Sequence, residues 1–176
     1  MIPILAVVGT SNTGKTTLIE FIISHLSKEG VIVGTIKHIH HAGFTFDTEG
    51  KDSWRHSKAG AKIVICIAPE EIAIIKKDSP QKELDKILDL VKNEKLDLLI
   101  IEGFHSLIAH RVDIHKIIIA ENAEDVRRTL NDTVKPILAI TGPLAKKKVT
   151  LPKIEVPIIN FHKNGEKILS LVKNIL

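Results

Sequence analysis

The sequence predicts an α/β fold: a mostly parallel sheet with helices on both faces, extended by an antiparallel β-hairpin. Short runs rich in Ile, Leu and Val recur along the 176 residues, at 3–8, 31–37, 96–101, 113–120, 136–141 and 156–160. Strands that are apolar throughout are those buried on both faces of a parallel sheet. Helical segments fall between most of these runs, and that alternation implies parallel strands joined by crossover helices. The exception is the pair Ala61–Ala68 and Glu71–Lys76, two β-rich runs that follow one another across Pro69.

Each element has its local reason. Pro3 to Val8 carries Ile4, Leu5, Ala6, Val7 and Val8 without a charge. Lys15 to Glu29 is a helix with Leu18, Ile22 and Leu26 on one stripe, Ile19 and Ile23 beside it, and Gly30 as the stop. Val31 to Lys37 reads as the second strand, and residues 38–60 follow as a long polar loop. After the hairpin, Asp78 or Ser79 is expected to cap a helix begun by Pro80, with Leu84, Ile87, Leu88 and Val91 on its buried face. Leu96 to Ile101 ends at Glu102-Gly103-Phe104; Asp113 to Ala120 and Pro136 to Thr141 flank a helix around Glu124 to Leu130. Val156 to Asn160 is a last short strand, and Gly165 to Ile175 a closing helix.

No repeat or composition break marks a linker, so residues 1–176 read as one domain. A net charge of +4 favours anionic partners, yet the nearest basic block is Lys146-Lys147-Lys148 and aromatics are only 3%. That combination argues against nucleic acid and for a phosphorylated small molecule. Cys66, the single cysteine, lies in the run Ile63 to Ile67 and reads as a buried, inert thiol. No apolar stretch reaches membrane-spanning length, and the first strand lacks a basic leader, so a cytoplasmic protein is expected.

The chemistry starts at Gly9-Thr10-Ser11-Asn12-Thr13-Gly14-Lys15-Thr16, a G-x-x-x-x-G-K-[ST] run after a strand and before a helix. Glycines let backbone N–H groups turn around an anion, and the helix N-terminus adds its positive end. Lys15 is expected at the β- and γ-phosphates and the Thr16 hydroxyl on Mg²⁺; Thr17 completes the nucleotide-binding stretch. This makes the fold a P-loop NTPase. Such a site needs an acidic group from another strand to hold the metal's water shell. Glu102 is placed for it, Asp97 at the far end of the same strand is structural, and Gly103 allows close backbone approach to a γ-phosphate.

The segment after the second strand holds Lys37, His38, His40, His41, Asp47, Lys51, Arg55, His56 and Lys58, framed by Gly50 and Gly60. A polar loop this long is functional or mobile. In one reading it is a switch, with Asp47 approaching Mg²⁺ when a γ-phosphate is present. In another, the cations and histidines build a second anion site facing the P-loop. Lys15, Asp47 and Glu102 are the candidate catalytic residues, and Thr16, Asp47 and Glu102 the candidate metal-linked ones. Imidazoles also suit zinc and nickel, but no cysteine pair accompanies them.

Together, the P-loop, Lys37-His38-Ile39-His40-His41 with Gly50-Lys51-Asp52-Ser53 and Ala59-Gly60-Ala61, and Glu102-Gly103-Phe104 resemble the MobB family. These are GTP-binding adaptors of molybdopterin-guanine dinucleotide biosynthesis. The motifs fall in order across roughly the first 105 residues. The resemblance implies a cytoplasmic homodimer that binds GTP with Mg²⁺ and hydrolyses it slowly. It also implies partnership with the guanylyltransferase of the molybdenum cofactor and with molybdopterin. Two departures stand out: Ser57 where the family commonly has arginine, and Thr141-Gly142-Pro143 in place of an Asn-Lys-x-Asp guanine signature. Guanine preference is therefore an implication of the resemblance alone. A small-molecule kinase and a histidine-using metal-delivery GTPase are the rival classes; Arg127 and Arg128 give a kinase-type lid thin support.

Overall fold

A computed structural model of the chain describes residues 2–41, 43–77, 83–146 and 155–176. It resolves into two compact units, Met1–His38 with Ile87–Leu176, and Ile39–Lys86.

The larger unit is a five-stranded, wholly parallel sheet in the order β2-β5-β1-β6-β7. Its strands are β1 (Ile4–Gly9), β2 (Val33–Lys37), β5 (Leu98–Glu102), β6 (His115–Ile119) and β7 (Ile137–Thr141). β1 is central, with Leu5, Ala6, Val7 and Val8 at most 1% exposed, as a strand covered on both faces must be. Leu5 and Val7 pack with Leu18, Ile22 and Leu26 of α1 (Lys15–Lys28) and Ile168, Leu169 and Val172 of α6 (Phe161–Lys173). On the opposite face α4 (His105–Ile108) touches β1, with Ile108 fully buried. The chain order reverses beside β1: its neighbours are β5 on one side and β6 on the other. The loop after β1 thus lies at the switch point where open α/β sheets bind ligands.

Several expectations are refined here. α5 (Ala123–Asn131) begins at a true cap, with the Asn122 side chain accepting from Glu124 N and Asp125 N. Asp97 is structural, its Oδ2 accepting from Ile32 N at 2.8 Å. Val156 to Asn160 forms no strand but a single parallel bridge between Ile158 and Ile140; Pro157 has no N–H to give a ladder, and its carbonyl accepts from Ile140 N. α6 includes a first turn from Phe161, then kinks at Asn164, which has a non-helical φ of −133°, so the closing helix begins at Gly165 as expected; there the Phe21 ring fills the space a Cβ would take, at 2.4 Å. The short α4 had no sequence periodicity to reveal it. The expected cap at Asp78 or Ser79, Pro80, and Lys147-Lys148 lie outside the described residues.

The smaller unit contains α2 (Asp52–Lys58), a helix inside the segment expected to be a long polar loop, and the expected antiparallel hairpin, β3 (Ile63–Ile67) with β4 (Ile72–Lys76). α2 packs on β3. Val64 is 7% exposed, and Cys66, on the same face of the strand, is half-buried rather than buried. Ile63, Ile65 and Ile67 point the other way, and with Ile72 and Ile74 they form an exposed apolar face, each residue at least 52% exposed. The short helix α3 (Leu84–Leu88), within which one unit ends and the other begins, buries Leu84 and Ile87 as expected, while Leu88 and Val91 are half-buried.

Candidate functional site

The loop between β1 and α1 is shaped by backbone conformations that ordinary side chains resist. Gly9 takes φ +151°, and a Cβ there would meet the Ile119 carbonyl oxygen at 2.2 Å, so only glycine fits. Asn12 is held at φ +61°, and Gly14, at φ +95°, turns the chain into α1. The Thr13 hydroxyl donates to Thr10 O at 2.8 Å and ties the loop to itself. Unlike α5, helix α1 has no side-chain cap and no acidic residue in its first turn. Its N–H groups and positive dipole end are left for an anion.

The loop opens on a polar cleft of about 460 Å³, lined by Ser11, Asn12, Gly14, Lys15, Thr16, Thr17, Lys37 and Glu102. Lys15 Nζ donates to Gly9 O at 3.1 Å and Thr10 O at 2.6 Å. Burial pushes this ammonium below the usual lysine range; Glu102 opposes the shift and the neighbouring Lys37 adds to it. Thr16 Oγ1 donates to the Glu102 carboxylate at 3.2 and 3.3 Å. A hydroxyl and a carboxylate so close are an oxygen donor set of the kind Mg²⁺ takes, with the rest of its shell left to water and phosphate.

Of the predicted nucleotide-binding residues, six line the cleft, and Gly9, Thr10 and Thr13 shape the loop behind it. Gly103, at φ +91°, stands where a Cβ would come within 3.0 Å of His38 Cβ, so here its small size serves packing. The residues grouped as one second anion site are divided. Lys37 enters the P-loop cleft, and the His38 ring stacks on Phe104, with centroids 4.2 Å apart and planes at 16°. Both belong to the larger unit; His40, His41, Asp47, Lys51, Arg55, His56 and Lys58 belong to the smaller one. There Asp47 Oδ1 accepts from Thr48 N and Ser53 Oγ, at 2.9 and 2.8 Å, and organises the entry to α2. Arg55 pairs with Asp52 at 3.4 Å, and Lys58 Nζ lies 5.1 Å from the Trp54 ring centroid. Among the described residues no three His, Cys, Asp or Glu side chains gather as a metal site.

Expected in an anion site facing the P-loop, Lys37 instead enters the P-loop cleft itself, paired with Glu102. Its signal was available: Lys37 and Glu102 each end an apolar strand, and parallel neighbours would bring two such ends together.

The family model for MobB, molybdopterin guanine dinucleotide synthesis protein B, matches residues 4–140. The chain belongs to the MobB family. The molybdopterin-guanine dinucleotide biosynthesis adapter protein of Haemophilus influenzae is 36% identical over 166 residues, covering 93% of this chain and 89% of that one. That of Escherichia coli is 40% identical over 112 residues, covering 62% and 63%. The crystal structure of Bacillus subtilis MobB superposes with a TM-score of 0.79 at 30% identity, covering 99% of this chain and 98% of that one. The MobB match takes in the P-loop, Lys37 and Glu102, whereas Lys146 and α6 lie beyond it.

Proposed function

We propose that this protein is a MobB-type adapter of molybdopterin guanine dinucleotide biosynthesis that binds GTP with Mg²⁺ and hydrolyses it slowly. The observation that carries the nucleotide reading is the single cleft formed by the P-loop, the Thr16–Glu102 pair and Lys37. In it the loop N–H groups and Lys15 take the phosphates, while Thr16 and Glu102 hold the Mg²⁺ shell, which neutralises phosphate charge when bound. No arginine or glutamine stands among the lining residues; groups that stabilise transition-state charge or orient the attacking water are worth on the order of 10³–10⁵ in rate. Single-turnover hydrolysis well below about one per second is consistent with that lining. The exposed cations Lys51, Arg55 and Lys58 of the smaller unit are the groups this reading gives to the pterin phosphate.

Calorimetry with GTP, GDP and ATP in Mg²⁺, followed by co-elution with the molybdenum cofactor guanylyltransferase, tests it. Mg²⁺-dependent GTP binding and a co-eluting complex are expected. Binding of no nucleotide removes the reading, and rapid phosphate transfer to a small acceptor replaces it with a kinase. No helix among the described residues is long and apolar enough to cross a membrane, and we assign the protein to the cytoplasm with its pathway.

The reading includes a homodimer, and the isoleucine face of the hairpin supports it. Contiguous exposed apolar patches of this kind mark association surfaces. Ile65 and Ile74 are cross-strand partners at its centre, so Ile65→Lys with Ile74→Glu keeps the hairpin's own pair compatible. The expected outcome by sedimentation is a monomer with unchanged helix content, against a dimeric parent. A monomeric parent at tens of micromolar would refute it.

A further inference from the structure

Lys37 and Glu102 are register partners at the carboxyl ends of adjacent parallel strands, and His38 N continues the ladder to Glu102 O at 3.0 Å. The sheet therefore holds the base of the Lys37 side chain beside the cleft. Its Nζ lies 3.2 Å from both carboxylate oxygens of Glu102, the same carboxylate that accepts from Thr16 Oγ1. One acid thus serves both an ammonium and the hydroxyl that fits Mg²⁺. Lys15 and Lys37 face Glu102, the one carboxylate among the lining residues. The lining carries more positive charge than it can neutralise, and Lys37 adds to what lowers Lys15. An anion bearing more charge than Lys15 and the loop amides neutralise would satisfy it.

The Lys37 side chain is 53% exposed, against 15% for Glu102. Exposed ion pairs are weakly held, and a lysine on its four-carbon stem moves its charge without disturbing the backbone. Glu102, more enclosed, is the fixed member of the pair.

We propose that Lys37 is the residue that distinguishes a triphosphate from a diphosphate in this cleft. Its ammonium exchanges the Glu102 carboxylate for the γ-phosphate, leaving Glu102 in place for the metal's water shell. This rests on the Mg²⁺-nucleotide reading given above and adds to it a specificity determinant supplied in cis. The loop amides and Lys15 hold the phosphates common to both ligands, Lys15 also reaching the third, and Lys37 contributes only where that third phosphate is present. If Lys37 merely neutralised Glu102, its removal would affect both ligands alike.

The test compares a slowly hydrolysed GTP analogue with GDP, by calorimetry in Mg²⁺, on the parent, Lys37→Met, Lys37→Arg and Lys15→Met. Lys37→Met keeps the stem and, at an exposed strand end, the fold; an unchanged melting temperature checks this. The expected result is a fall of about tenfold or more in affinity for the triphosphate, the scale of one charge-assisted hydrogen bond. GDP affinity stays within about twofold, and Lys37→Arg restores most of the preference. Equal losses for both ligands, or no loss for either, overturn the assignment. A parent that binds neither ligand refutes the nucleotide reading itself, and Lys37's role with it. Lys15→Met behaving as the parent likewise refutes that reading, because Lys15 serves both ligands.

Discussion

Lys15→Met is expected to remove tight triphosphate binding while leaving the protein folded. Its ammonium sits at the mouth of the loop, bonded to Gly9 O and Thr10 O, and reaches the β- and γ-phosphates in the nucleotide reading. Hydrogen bonds to charged groups contribute roughly 1.5–3 kcal/mol each. Losing two of them lowers the affinity by on the order of a thousandfold. The stem of methionine retains most of the packing, and both carbonyls released stand at the rim of a wet cleft, so stability changes little. Calorimetry and a thermal melt on the same sample check both halves. A folded Lys15→Met protein with undiminished affinity would remove the phosphate cradle from the functional account.

The second large effect is on stability and lies at the other end of the sheet. Lys116, in β6, is fully buried, and its Nζ donates to Arg111 O and to Val134 O, the latter at 3.1 Å. It pins two loops to the amino end of the strand. Lys116→Met keeps the aliphatic stem but leaves two carbonyls without this donor, at roughly 1–3 kcal/mol each. Relief of a buried charge offsets part of that. The net loss should be about 2–4 kcal/mol, a fall of about 5–15 °C in Tm for a chain of this size.

The same residue predicts a pH dependence. Burial pushes the Lys116 ammonium below the usual lysine range, opposed by the Asp113 carboxylate. The unfolded chain therefore holds this proton more tightly than the folded one, and protonation favours unfolding. Stability from this group rises with pH between its folded pKa and the ordinary lysine value. Neutral lysine still carries two N–H donors, enough for both carbonyls. The stability gap between parent and Lys116→Met should thus widen as pH rises through the alkaline range. Parallel denaturation curves across that range measure it, and a gap that narrows would contradict the assignment.

Much of this protein was legible in its residues because the relevant physics is local. Gly9 to Thr16 specifies the loop between β1 and α1 through backbone freedom and a lysine at one fixed spacing. Uniformly apolar runs such as Leu98 to Ile101 announce strands covered on both faces, and Pro69 between two β-rich runs announces a hairpin. Glu102 is placed at a strand's carboxyl end by the same logic, and its carboxylate accepts from Thr16 Oγ1.

What the tertiary structure decided depends on neighbours far apart in the chain. The strand order β2-β5-β1-β6-β7 puts Lys37 against Glu102 across 65 residues, and no periodicity within either strand encodes which strand lies beside it. Gly165 begins the closing helix after the kink at Asn164, and only the Phe21 ring explains why that position carries no side chain. The hairpin isoleucines have the composition of a buried strand; among the described residues β3 and β4 pair only with each other, and α2 packs on the face that carries Val64. Lys116 lay hidden in an apolar run because a lysine's burial is set by carbonyls that other loops deliver. Local rules determined which segments are strands, which loop opens on the cleft and which acid stands near it. Long-range packing determined which cation shares that cleft, because register between strands is a property of the assembled sheet.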